Sequence, residues 1–387
     1  MVPNSWVSCH LGDFMDFKNG LNADKSQYGY GLKFVNVMDV FGNDILTEDK
    51  IIGRVNVAES QLEGNLLKFG DVLFNRTSET FDEIAMSAVY LDDKPAVFGG
   101  FVIRARPSNG VLAPAYSVYL FQSSRFRNQV IKLGQGAVRA NIGQKDLAKV
   151  KVSLPPLPEQ KKIAQILSTW DKAITTTEQL LANSQQQKKA LMQQLLTGKK
   201  RLLDDNGVRF SGEWKHGYLS DIAKIAKGKA LSSRNLTEGS YPVIAGGKTS
   251  PYSHSEFTHE NIITVSASGA YAGYVAYHPH KIWASDCSAV AAKKNSSTLF
   301  IFQLLTHLQN KIYSLQSGGA QPHIYPKDLD TLKVFIPAAA EQQKIAAVLS
   351  SADQEIDSLQ QKIEALKQEK KALMQQLLTG KRRVKLN

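Results

Sequence analysis

EQKKIAQILSTWDKAITTTEQLLANSQQQKKALMQQLLTGKKR, residues 159–201, returns as EQQKIAAVLSSADQEIDSLQQKIEALKQEKKALMQQLLTGKRR, residues 341–383, without a gap and at a constant offset of 182. An internal repeat of this length sets the organisation of a chain before any local reading does. In alternating steps of four and three the first copy gives Ile163, Leu167, Trp170, Ile174, Thr177, Leu181, Ser184, Lys188, Leu191 and Leu195. The second gives Ile345, Leu349, Ala352, Ile356, Leu359, Ile363, Leu366, Lys370, Leu373 and Leu377. That is a coiled-coil a/d seam sustained over more than four heptads in each copy. At 1.5 Å per residue each helix is on the order of 50 Å long. Pro158 suits a first helical turn, while Gly198 and Gly380, each followed by basic residues, suit helix stops.

Polar entries at Thr177, Ser184 and Lys188 leave the first seam incomplete, whereas the second is apolar at Leu359 and Leu366. Pairing the helices inside one molecule covers both. An intramolecular coiled coil is therefore expected, antiparallel if a pseudo-two-fold relates the two halves; homodimerisation through the same seam is the competing arrangement.

Around these spacers, 155–203 and 337–387, lie segments 1–154 and 204–336, which share their ends and not their middles. Trp6, Leu11, Asp13 and Gly20 recur as Trp214, Leu219, Asp221 and Gly228; Ile142, Lys145, Asp146 and Leu147 recur as Ile324, Lys327, Asp328 and Leu329. Strand-like runs at 32–37, 71–74, 98–103, 261–265 and 274–277 alternate with Gly-rich turns, and helical stretches are expected near 114–132 and 299–315. The fold class is α+β: two mixed domains with small sheets, separated by two long helices. Preserved ends with diverged interiors suit two similarly mounted heads of different specificity, although drifted repeats would read the same.

The chain of 387 residues carries a net charge of +12, which favours a polyanionic partner. The four segments in order carry +1, +5, +3 and +3, so the excess lies on folded surfaces and not on a basic arm, with local runs at Lys199-Lys200-Arg201 and Lys381-Arg382-Arg383. Apolar runs are too short to span a bilayer, and residues 1–15 lack the pattern of a secretory leader, so a cytoplasmic address is expected. With only Cys9 and Cys287 there is neither a disulfide framework nor a thiolate cluster for zinc.

Gly-flanked loops are the natural reading edges. In the first half these are 75–78, with Arg76 and Thr77, and 135–142, with Arg139 and Asn141. In the second half they are 266–271, with Ser266, Ser268 and Tyr271, and 318–324, with Gln321 and His323; Lys248 is a further candidate. Arg can pair bidentately with guanine and Asn or Gln with adenine, and hydroxyls hold phosphate oxygens. Solvated turns are the competing reading. Gly246-Gly247-Lys248-Thr249 imitates a phosphate loop, but Pro242 stands where Gly is required, so a turn is expected. His254 and His259 lack zinc spacing and read as surface histidines. No nucleophile elbow and no adenine-methyltransferase tetrapeptide is present, which leaves scattered carboxylates as the residual nuclease reading.

Divergent domain, long helix, divergent domain and near-copy of the helix together resemble the specificity subunit of type I restriction-modification systems over the whole chain. The telling pieces are LPPLPEQKKIA at 154–164, ALMQQLLTGK at 190–199 and 372–381, and the Trp-Leu-Asp starts of both halves. The second copy departs with Ala340 where Pro158 stands. The resemblance implies two target recognition domains reading a bipartite DNA site, spacers that fix its gap, and no active site, metal or cofactor in this chain. It also implies two methyltransferase subunits that use S-adenosylmethionine on adenine N6, docked on the outer faces of 159–199 and 341–381, and restriction subunits that use ATP and magnesium. A coiled-coil adaptor without DNA recognition, or a self-contained DNA nuclease or methyltransferase, is the alternative.

Overall fold

Strands buried along their whole length mark the centre of each half: Val72–Asn75 and Ile262–Ser266 expose no residue on either face. The computed structural model describes residues 3–108, 110–250 and 252–386; Met1 and Val2, which open the stretch read for a leader, lie outside them. The chain divides into two units, Met1–Thr177 with Lys362–Asn387, and Glu178–Gln361.

In the first unit a five-stranded sheet is built from β1 (Met15–Asn19), β2 (Ile45–Leu46), β3 (Val72–Asn75), β4 (Ser87–Tyr90) and β5 (Val102–Pro107), in the order β1-β5-β3-β4-β2. Only β2 and β4 run parallel. Helices Pro114–Leu120 and Ser124–Leu133 cover one face, where Phe74, Phe121 and Phe126 meet with centroids 5.0–5.8 Å apart. Burying each ring contributes about 2–3 kcal/mol. In the second unit β6 (Ala223–Lys227), β7 (Ile262–Ser266), β8 (Val275–His278) and β9 (Cys287–Ala292) form an antiparallel sheet in the order β6-β9-β7-β8. Its cover is Thr298–His307 and Gln309–Tyr313.

Three sequence expectations change. Each single helix expected beside a sheet is two: at Ser123 the side chain accepts from Phe126 N at 3.3 Å and starts a second helix, while Leu308 separates the other pair. The run 98–103 is not one strand, because Val102 N donates to Gly99 O at 2.9 Å and closes a turn between Phe98 and Val102. The first strand-like run starts at Tyr28 and ends at Val35, after which Asn36 caps a short helix, Val37–Gly42.

The repeated segments form α1 (Leu157–Leu195) and α2 (Ala339–Leu377), 39 residues each. Gly198 and Gly380 end them with φ of +71° and +73°, the left-handed conformation that closes a helix. Every seam residue named above is buried or half-buried. In the first unit Ile163, Ile166 and Leu167 share a core with Leu373, Met374, Leu377 and Leu378, and Lys370 ion-pairs with Asp171. In the second, Met192, Leu195 and Leu196 share a core with Ile345, Ala346 and Leu349, and Lys188 ion-pairs with Asp353. Early residues of one helix lie beside late residues of the other in both units, so the pairing is antiparallel and intramolecular. The gap expected at Lys188 is answered by a carboxylate and not by Leu359 or Leu366.

Each helix start is held by the same clasp. Glu159 accepts from Arg383 Nε and Nη2 at 2.6 and 2.8 Å and from Trp6 Nε1 at 3.2 Å; Glu341 accepts from Arg201 at the same two distances and from Trp214 Nε1 at 3.0 Å. Both carboxylates are about 1% exposed. The neighbouring amides bind backbone: Gln160 Oε1 accepts from Ala113 N at 2.8 Å and Gln342 Oε1 from Ser297 N at 3.0 Å. Arg201 and Arg383, which end the two basic runs, are therefore committed to structure.

Candidate nucleic-acid interface

Strand β3 leaves the sheet at Asn75 and turns through Arg76 into a two-residue strand, Thr77–Ser78. That strand pairs with Ala140–Asn141 from the 135–142 hairpin, and Ile142 N donates to Arg76 O at 3.0 Å. The hairpin closes on itself through Gln135 and Asn141, whose backbones exchange hydrogen bonds at 2.8 and 2.7 Å. Its turn needs Gly136, which holds φ at +124°, where a Cβ would strike Arg139 O.

The second unit repeats the frame bond for bond. Strand β7 runs through Ser266 into Ala267; Ile324 N donates to Ala267 O at 2.9 Å; Ser317 and His323 exchange backbone hydrogen bonds; and Gly318 holds φ at +95°. The pairing Asn75 to Val102 in one sheet is matched by Ser266 to Cys287 in the other. Asn75, Arg76, Thr77, Arg139 and Asn141 thus stand where Ser266, Ala267, Ser268, Gln321 and His323 stand. The frame is shared, and nearly every side chain on it differs.

In the first head Arg76, Arg139 and Asn141 are exposed; Thr77 Oγ1 donates to Asn141 Oδ1 at 2.9 Å and Asn141 Nδ2 donates to Arg139 O at 3.1 Å, so the side-chain amide is held in place with one hydrogen to spare. Arg76 Nη1 touches Gly100 O only at 3.4 Å, so its guanidinium keeps most of its donors. Thr77 and Arg139 line an open depression of about 540 Å³ with Val37, Met38, Phe41 and Phe101. Met38 and Phe101 are 70% and 66% exposed. The sequence reading missed both. Phe101 lies in a run, 98–103, whose residues predict one strand, and nothing in the sequence marks Met38 as the exposed residue of a capped helix.

In the second head Lys248 stands in the bend after Tyr241–Ile244 and places its ammonium 5.3 Å from the Tyr271 ring and 5.5 Å from the Tyr274 ring. Cation–π contact fixes the loop while leaving the ammonium exposed. Ser268 donates to Asp286, Gln321 is exposed, and His323 stacks on Tyr325 at 6.1 Å. Tyr271 is 44% exposed. Ser266 is buried, its hydroxyl turned to Ser268 O at 3.5 Å, so it supports the loop and is not free to touch a ligand. Asp286 is the residue that sequence reading overlooked here.

His254 and His259 are not surface residues. His254 is buried edge-on against Trp283 with Nδ1 at 3.1 Å from Thr237 Oγ1, and His259 is half-buried with Nδ1 at 2.9 Å from Thr258 Oγ1. Burial pushes the Cys287 thiol up to about 12, so it stays protonated. Among the described residues no three His, Cys, Asp or Glu side chains lie together as a metal set, and no helix is long and apolar enough to cross a membrane.

The model of the type I restriction modification DNA specificity domain matches residues 3–183 and again 211–368. A putative type I restriction enzyme MjaX specificity subunit of Methanocaldococcus jannaschii is 28% identical over 99% of this chain and 95% of its own length. The crystal structure of a type I restriction-modification S subunit from M. genitalium is similar with a TM-score of 0.66 at 18% identity, over 98% of each chain. The HsdS subunit from Thermoanaerobacter tengcongensis is similar with a TM-score of 0.52 at 19% identity, again over 98% of each.

Proposed function

This chain belongs to the type I restriction modification DNA specificity family, a specificity subunit that recognises DNA sequence, and on that premise we propose that each head reads one half of a bipartite duplex target. The observation that carries the division is the duplicated loop frame, kept bond for bond and filled with different side chains. One scaffold thus presents two chemistries. Arg76 and Arg139 supply the fork that matches guanine O6 and N7, and Asn141 the amide that matches adenine. Gln321, His323 and Tyr271 serve the second half-site, Lys248 holds phosphate oxygens that set register, and Ser268 positions Asp286 through its hydroxyl. The domains are read as heads at 1–154 and 204–336, with spacers at 155–203 and 337–387.

The chain is non-catalytic and works in the cytoplasm. Two methyltransferase subunits dock on the outer faces of 159–199 and 341–381 and carry S-adenosylmethionine to adenine N6; restriction subunits add ATP- and magnesium-dependent cleavage. The test compares the purified chain with the chain co-purified with its methyltransferase subunits. Methyl transfer to adenine, confined to one split sequence, is expected only from the complex; methyl transfer or cleavage by the chain alone overturns the proposal.

A further inference from the structure

Two residues occupy one point of the shared frame. Arg76 N donates to Phe101 O at 2.9 Å, and Ala267 N donates to Asp286 O at 3.1 Å. Each is the last residue before the strand that pairs with the head's central strand, β5 after Phe101 and β9 after Asp286. Each therefore lies beside the loop and hairpin that build the candidate interface, although their chemistries are opposite.

Phe101 is 66% exposed, and with Val37, Met38 and Phe41 it makes an apolar wall in a depression whose polar lining includes Thr77, Arg139, Glu79 and Glu83. A large apolar side chain held this far into solvent contributes little to the core. Among base edges in the major groove, the apolar group that such a wall fits is the C5-methyl of thymine. Asp286 is half-buried, and one carboxylate oxygen accepts from Ser268 Oγ. Among the described residues no cation lies within salt-bridge distance of it; Lys248, on the neighbouring loop, is held by Tyr271 and Tyr274 instead. A carboxylate facing DNA is repelled by phosphates and is favourable only opposite a base donor, for which the matching edge is the cytosine N4 amino group.

We infer that Phe101 and Asp286 are specificity-determining residues, Phe101 selecting a thymine in the half-site of the first head and Asp286 a cytosine in that of the second. The inference rests on the reading that the heads recognise a split target. It is tested by co-expressing the full chain and its methyltransferase subunits in a host without adenine methylation and mapping genomic N6-methyladenine. Phe101→Ala is expected to relax one thymine position by roughly tenfold, and Asp286→Asn one cytosine position in the other half-site by a similar factor, each leaving the remaining bases unchanged. Phe101→Leu and Asp286→Glu should retain the original base. If the wild-type complex yields a split motif that both relaxing variants reproduce unchanged, the inference is overturned and the reading stands. If the conservative variants also lose methylation, the two positions are structural and the inference again falls. If the intact wild-type complex yields no split motif, the reading fails and takes the inference with it.

Discussion

Glu341→Ala removes the acceptor of three hydrogen bonds at once: two from Arg201, at 2.6 and 2.8 Å, and one from Trp214 at 3.0 Å. The carboxylate is 1% exposed and the Arg201 side chain 21%, so water restores only part of what is lost. Breaking such a pair from one side leaves an uncompensated charge and costs about 3–5 kcal/mol, against about 1 kcal/mol or less for an exposed pair. For a unit of this size each kcal/mol lowers Tm by about 2–4 °C, so the loss is roughly 6–20 °C. The assay is thermal and urea unfolding of the full chain, with Glu341→Ala, Arg201→Ala and the double variant as a cycle. The cycle should show strong coupling, because once one partner is gone, removing the second relieves a stranded charge or an orphaned acceptor. A loss below about 1 kcal/mol for Glu341→Ala, or additive single effects, refutes the clasp as the element that holds the helix start.

Other expectations are equally concrete. Deleting one heptad from each helix, residues 175–181 and 360–366, shortens each by about 10 Å and should shorten the gap in the methylated motif by about 3 base pairs, with both half-sites unchanged; altered half-sites with an unchanged gap contradict it. Lys248→Ala should weaken duplex binding by the complex uniformly across sequences and reduce the slope of log K against log salt by about 1, measured by titration at several salt concentrations. Burial, with His280 beside it, pushes the His278 imidazole down to about 4 from 6.5. Between those values the unfolded chain binds the extra proton, so this group's contribution is complete above about pH 6.5 and is lost as pH falls toward 4. That amounts to about 3 kcal/mol of acid destabilisation. His278→Gln, which can still bond Thr264 Oγ1, should flatten the acid limb of a stability-against-pH curve, and an unchanged limb contradicts the assignment.

The long helices were legible because a heptad seam is a strictly local, periodic signal, and the two-copy offset of 182 gave their equivalence directly. The frame of the heads was half legible: the Gly-flanked loops 135–142 and 318–324 marked the hairpins, and loops 75–78 and 266–271 stand at equivalent points of the two frames. What the sequence hid were choices made by tertiary pairing. Nothing local says that 98–103 breaks at Gly99, yet that break is what lifts Phe101 into solvent. Nor does a serine declare its direction: Ser266 and Ser268 are two residues apart, yet Ser266 is buried while Ser268 reaches Asp286 at the loop. Arg201 and Arg383 read as charge runs because their partners, Glu341 and Glu159, lie 140 and 224 residues away in the chain.

The central claim, that one duplicated frame reads two half-sites, is met most directly by the genomic map of N6-methyladenine made by the wild-type chain with its methyltransferase subunits. The account predicts a single motif of two specified parts separated by unspecified bases at one fixed gap. An uninterrupted motif, or parts that recur at variable separation, would contradict it.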